Sequence, residues 1–170
     1  GGLSSKTAPE LGAEVIKKCL EHSKVKGNEV DTVFMGQVLQ AGAKQNPARQ
    51  AAIAAGIPYE TISCTVNQLC ASGLTSVGYG YNSILLGEAK IAVCGGQESM
   101  SNTPHIVNLR NGIKMGPGTI EDSMIKDGLS CAMNDYHMGV TAENVAEKWS
   151  ITKEAQDEFA TLFENKAESV

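Results

Sequence analysis

Aromatic side chains are scarce: Phe, Trp and Tyr make up only 5% of the 170 residues. A chain so poor in rings offers few platforms for stacking bases, which argues against RNA binding. Positive charge is not in excess either, since 14 Lys and Arg stand against 19 Asp and Glu for a formal charge of −5. That balance excludes a general attraction for a phosphate backbone or an anionic membrane, so neither nucleic acid nor a membrane is expected as a partner. No run approaches the roughly 18 apolar residues of a membrane span. No charged-then-apolar leader opens the chain, and because the first residue is Gly1 and not Met, a segment ahead of it is expected.

Cysteine pairs are also missing. The five cysteines, Cys19, Cys64, Cys70, Cys94 and Cys131, are odd in number and none forms a CxxC motif. A chain of this length folds without staples, so the pattern fits a reducing compartment, a cytoplasmic location and no structural zinc. What is present is ordinary globular material, with 42% hydrophobic and 19% charged residues, enough for one sizeable core or two small domains. Glycine is plentiful at 18 residues, which points to close backbone approaches. Seven carboxylates lie between residues 141 and 170 and read as a solvated helical face.

Thr7-Ala-Pro-Glu10 has the form of a capping box with Pro in the first turn, and Leu11, Val15, Cys19 and Leu20 share a face, predicting a helix to about residue 22. Val30–Leu39 reads as a strand with a close neighbour at Gly36. Asn46-Pro47 restarts a helix that Gly56 closes. Ile62, Cys64 and Val66 alternate with Ser and Thr, predicting a strand. Leu74, Val77, Gly78, Tyr81 and Leu85 then take helical spacing up to Gly87. Ala89–Cys94 suits a buried strand with a tight exit at Gly95-Gly96. Alternating helices and strands imply an α/β domain with a mostly parallel sheet over residues 1–100. Residues 101–118 lose periodicity, and a second domain is expected over 101–170, where Thr141 caps a helix through Trp149 and Thr152 starts another.

Cys70 has the most promising position for chemistry. It lies between an apolar strand and a helix whose first turn, Ala71-Ser-Gly73, is small enough for a substrate to approach. Unpaired N–H groups and the helix dipole favour negative charge there, and the thiolate is the nucleophilic form. On its residues alone Cys70 fits either a nucleophile or an inert buried thiol.

Val66-Asn-Gln-Leu-Cys-Ala-Ser-Gly-Leu-Thr-Ser76 resembles the acyl-enzyme signature of the thiolases, acyl-CoA acyltransferases that make and break carbon–carbon bonds. Gly42–Gln50, Gly95–Ser101, Lys126–Leu129 and His137–Val145 resemble further segments of that family in the family's order. Ala71 stands where many members have Gly. The resemblance implies a layered α/β/α domain, incomplete and without its opening strand, followed by the start of a helical and loop domain that binds CoA. It implies that Cys70 takes the acyl group from a thioester, and that its backbone N–H helps hold an oxyanion. In the same way it assigns His137 to the CoA portion, Met138 to packing against a small acyl group, and Leu129 to the lining of that pocket. His137 before Met138 resembles the short-chain members, where long-chain ones commonly carry Pro.

The expected activity is condensation of two acetyl-CoA to acetoacetyl-CoA and CoA through S-acetyl-Cys70, with no metal or redox cofactor. The rivals are a broader-range 3-ketoacyl-CoA thiolase and an inactive thiolase-like scaffold subunit. In the family, a Gly-His-Pro segment and a second Cys near the C-terminus supply the remaining acid and base. Neither motif occurs in these 170 residues, so the chain resembles a first half that is expected to be inactive alone. Asn108–Gly116 resembles the loop through which short-chain members pair dimers into tetramers, or is simply a solvated loop. A homodimer or homotetramer is expected.

Overall fold

A computed structural model describes residues 1–169. They fall into two compact units, one from Gly1 to Gly128 and one beginning at Leu129. The elements of the first are α1 (Ala8–Ser23), β1 (Thr32–Gly36), α2 (Pro47–Ala54), β2 (Ile62–Val66), α3 (Ser72–Leu85), β3 (Ala92–Gly96), β4 (His105–Ile106) and β5 (Glu121–Asp122). The second holds α4 (Met138–Trp149) and α5 (Lys153–Glu168).

The first unit is an α/β layered sandwich. Three parallel strands run in the order β2-β1-β3, with Phe34 of β1 opposite Cys64 of β2 and Cys94 of β3. Helices α1 and α2 pack together on one face, while α3 covers the other. Alternation along β1 explains the layers: Val33 and Met35 join Ile16, Leu20, Ala48, Ala51, Ala52 and Ile57 in one buried cluster, whereas Phe34 points the opposite way and meets Tyr79 of α3 edge-on at 5.9 Å.

The helix starts follow their local sequences. The Thr7 side chain accepts from the Glu10 N–H, and the Glu10 carboxylate accepts from the Thr7 N–H at 2.8 Å. The Thr7 N–H and then the Thr7 hydroxyl, both donating to that carboxylate, hold the Glu10 carboxyl below its usual value. Asn46 accepts from the Arg49 N–H at 3.2 Å, and Pro47 opens α2.

Two stripes differ from what periodicity alone suggests. On α1 the buried residues are Ala8, Pro9, Gly12, Ala13, Ile16 and Leu20, while Val15 and Cys19 are exposed. On α3 the apolar stripe Leu74, Val77, Tyr81 and Leu85 is exposed; Ser72, Ser76 and Gly80 are buried. The cause is the closeness of the layers. A Cβ on Gly80 would lie 2.3 Å from Cys94 Sγ, and one on Gly36 would lie 2.6 Å from the Ser72 carbonyl carbon. A helix that approaches its sheet so closely turns its smallest side chains inward and leaves its large ones outside.

After β3 the chain packs back against the segment that precedes α1. Asn102 Nδ2 donates to the carbonyls of Ser4 at 2.9 Å and Lys6 at 2.8 Å. Strands β4 and β5 pair antiparallel, and every residue from 107 to 120 between them is exposed. The compact units therefore divide the chain later than the expected boundary near residue 100, because 101–128 pack with the unit before them.

Candidate active site

Strands β1, β2 and β3 are parallel, so their carboxyl ends open at one edge of the sheet, where α/β folds place their ligands. Cys70 is exposed and lies beyond that end of β2, in the five-residue connection between Val66 and Ser72. The connection is a tight, hydrogen-bonded turn. Leu69 takes a left-handed backbone with φ +52°, a conformation that costs a non-glycine residue about 1–2 kcal/mol. Its neighbours hold it there: Asn67 Oδ1 accepts from the Leu69 N–H at 3.1 Å, and the Ala71 N–H reaches the Gln68 carbonyl at 3.1 Å. Ser72 Oγ accepts from the Gln68 N–H at 2.8 Å and donates to the Leu69 carbonyl at 2.5 Å. The thiol thus sits on a strained turn that leads directly into α3.

The exit of β3 reinforces the same edge. Glu98 accepts from the Val38 N–H at 2.8 Å and the Leu39 N–H at 3.3 Å, tying the ends of β1 and β3 together. Burial raises the Glu98 carboxyl above its usual value, and those N–H groups pull it partly back.

Other cysteines differ in surroundings. Burial raises the Cys94 thiol. Cys64 is exposed on edge strand β2. In the second unit, the Met133 backbone N–H and then the Asn134 side chain hold the Cys131 thiol below its usual value.

Within the second unit, His137, Met138 and Leu129 are drawn towards one another. Ser130 bridges His137 in an antiparallel pair, and the Cys131 N–H donates to the Tyr136 carbonyl at 2.8 Å. Leu129 closes a turn of π-helix over Ile125–Leu129. His137 is the N-cap of α4, and its Nδ1 accepts from the Gly139 N–H at 3.0 Å. An accepting Nδ1 bears no proton, so the ring proton sits on Nε2 and remains available as a donor. Met138 is the first residue of the helix.

This corrects the expected helix start. Thr141 lies inside α4 with its hydroxyl buried and unpartnered, because the imidazole already serves the cap. Replacing His137 by Ala is expected to destabilise the first turn of α4 by about 0.5–2 kcal/mol. Replacing it by Asn should keep the cap while removing the ring. Hydrogen exchange at the Gly139 amide would separate the two, fast in the Ala variant and slow in the Asn variant.

The model of the family described as "Thiolase, N-terminal domain" matches residues 1–169. The chain belongs to the thiolase family. It is 54% identical over 169 residues to an acetyl-CoA acetyltransferase of Rhizobium meliloti, which covers 99% of this chain and 43% of that protein. A protein of the same name from Cupriavidus necator is 54% identical over 170 residues, again 43% of its length. The mouse "Acetyl-CoA acetyltransferase, cytosolic" is 47% identical over 168 residues, 99% of this chain and 42% of that protein. The thiolase chain thus spans about two-fifths of the curated relatives it matches. None of its helices, among the described residues, is long and apolar enough to cross a membrane.

Sequence reasoning missed two features of this candidate site. Leu69 carries no turn signature of its own, since its left-handed backbone is imposed by Asn67 and Ser72. Ser72 appeared only as a small residue open to substrate; its side chain is instead buried at 4% exposure and engaged with the turn. Gly36 did announce a close neighbour, and that neighbour is Ser72.

Proposed function

We propose that this chain is the nucleophile-bearing part of an acetyl-CoA C-acetyltransferase, which joins two acetyl-CoA into acetoacetyl-CoA and CoA. The observation that carries the reading is the exposed Cys70 thiol on the strained turn into α3, in a chain of the thiolase family whose relatives are named acetyl-CoA acetyltransferases. The Cys70 sulfur adds to the thioester carbonyl of acetyl-CoA; the carbon–sulfur bond to CoA breaks, and CoA leaves as the thiol with the proton from Cys70. A base then takes a proton from the methyl group of a second acetyl-CoA, and that carbon adds to the acetyl-Cys70 carbonyl. The Cys70 thiolate departs and acetoacetyl-CoA is released. The backbone N–H of Cys70 is proposed to help stabilise the negative oxygen of the condensation step, a donor fixed in advance being worth more than one that must reorient.

Met138 and Leu129 would bound the acyl group and His137 would meet the CoA portion, with Nε2–H as its donor. The base and the second cysteine would come from the part of the protein outside these residues. A cytoplasmic homodimer or homotetramer, with the exposed loop Asn108–Gly116 serving in assembly, completes the proposal; no metal or redox cofactor enters it.

Brief exposure of the longer protein to acetyl-CoA, followed by peptide mass analysis, is expected to place one acetyl group on Cys70. A label on Cys131 or Cys64 with Cys70 unmodified would refute the assignment. Thiolysis of C4 and C8 3-ketoacyl-CoA separates the chain-length rivals: each methylene in an apolar pocket is worth about 1–3 kcal/mol, so kcat/KM should favour C4. Equal use of C8 would indicate the broader-range enzyme, and no label anywhere would indicate a scaffold.

A further inference from the structure

We propose that Ser72 is a positioning residue for Cys70, its buried hydroxyl holding Leu69 in the left-handed conformation that presents the thiol. The proposal rests on the acyl-transfer reading above and deepens it.

The geometry is specific to this side chain. Ser72 is the first residue of α3 and is only 4% exposed. Its Oγ spans the turn, accepting from the N–H of Gln68 two residues before Cys70 and donating to the carbonyl of Leu69 immediately before it. The Ser72 N–H reaches the same carbonyl at 3.0 Å. The Gln68 N–H and the Leu69 carbonyl, on the two peptides that flank the Gln68–Leu69 bond, are thus both tied to one residue behind the nucleophile. Leu69 would by itself prefer a negative φ; without the hydroxyl, the Gln68 N–H loses its partner and the turn relaxes towards that preference. Since Cys70 follows directly, the relaxation moves its sulfur relative to the α3 N-terminus. Gly36 completes the support from the other side: its missing Cβ leaves the space in which the Ser72 backbone sits. Ser72 itself is engaged with the turn, and the group it positions is the one that reacts.

The test uses the longer protein. Single-turnover acetylation of Cys70 by acetyl-CoA is compared with its alkylation by iodoacetamide, both read by peptide mass. Acetylation requires a positioned sulfur, whereas the small reagent needs only an accessible thiol. Ser72→Ala is expected to slow acetylation about 10- to 100-fold while alkylation stays near the parental rate. The double variant Ser72→Ala/Leu69→Gly should recover much of the loss, because glycine takes a positive φ without the penalty.

Acetylation of the Ser72→Ala variant at the parental rate would overturn the proposal. So would parallel loss of acetylation, alkylation and urea midpoint with no recovery in the double variant. Should Ser72→Ala fail to fold, the double variant decides: a folded protein acetylated on Cys70 supports the clamp, and a second failure overturns it. A parent that is not acetylated on Cys70 removes the acyl-transfer reading and this proposal together, an outcome distinct from an acetylated parent with an unaffected variant.

Discussion

Residues 1–170 expressed alone are expected to give no measurable condensation of acetyl-CoA. The proposed nucleophile, Cys70, is present, but the proposed carbon–carbon step also requires removal of a proton from a thioester methyl group, and the family segments associated with that work, Gly-His-Pro and a second cysteine motif, do not occur in the sequence. Groups that act as one catalytic unit are strongly non-additive, and losing one can cost about as much as losing all, on the order of 10⁶ in kcat where it has been dissected. Packing adds a second reason. Helices α4 and α5 bury no residue, and Trp149, Phe159, Leu162 and Phe163 are all exposed. Helices of this length are marginal without a packed apolar face. The apolar stripe of α3 is likewise uncovered, an arrangement that favours association or loosening of the isolated chain. Condensation assays beside near-UV circular dichroism would check both points. Turnover close to that of the longer protein, with a native tertiary signal, would show that the chain carries its own acid and base.

Much of this architecture was legible because it is decided locally. The capping box at Thr7 and Glu10, the Asn46-Pro47 start of α2 and the alternation of β2 each depend on residues within a few positions, and each appears where the sequence places it. The choice of buried face is decided by the partner layer. Period two identifies Ile62, Cys64 and Val66 as neighbours on one side of β2, yet only Val66 is buried, because β2 is an edge strand and α3 lies mostly over β1 and β3. The same limit explains α3, where an apolar stripe and a small-residue stripe are both visible and only the approach distance selects the small one. At the candidate site, Cys70 was legible from its place between strand and helix. The left-handed Leu69 and the engaged Ser72 were not, since they arise from hydrogen bonds across the turn. His137 escaped as a cap because imidazole is an uncommon acceptor at a helix start, and Thr141 offered the commoner signal three residues after the true first residue.

Replacing Gly36 by Ala should be the most damaging single methyl group added to the sheet. The new Cβ would fall 2.6 Å from the Ser72 carbonyl carbon, 2.7 Å from the Gly73 nitrogen and 2.7 Å from the Ser72 Cβ. Two of these three neighbours are backbone atoms, which cannot swing aside as the end of a side chain can. Either β1 must retreat, against its ladders to β2 and β3 on both sides, or the start of α3 must lift. Inserting a methyl group into such a contact costs about 1–3 kcal/mol, readable as a lower urea midpoint in the longer protein. The second consequence falls on the reaction. Lifting α3 displaces Ser72 and with it the turn that carries Cys70, and a misplacement of about 1 Å can cost about 100-fold in rate. The kcat for acyl transfer should therefore fall by up to about 100-fold in a protein that is still folded, a loss that a stability cost of about 1–3 kcal/mol does not by itself produce. A Gly36→Ala variant that keeps its parental kcat, whatever its urea midpoint, would mean that the β1–α3 contact does not set the position of the thiol. A variant whose rate falls with its acetylation of Cys70, while iodoacetamide still reaches that thiol, would trace the loss to the placement of the nucleophile.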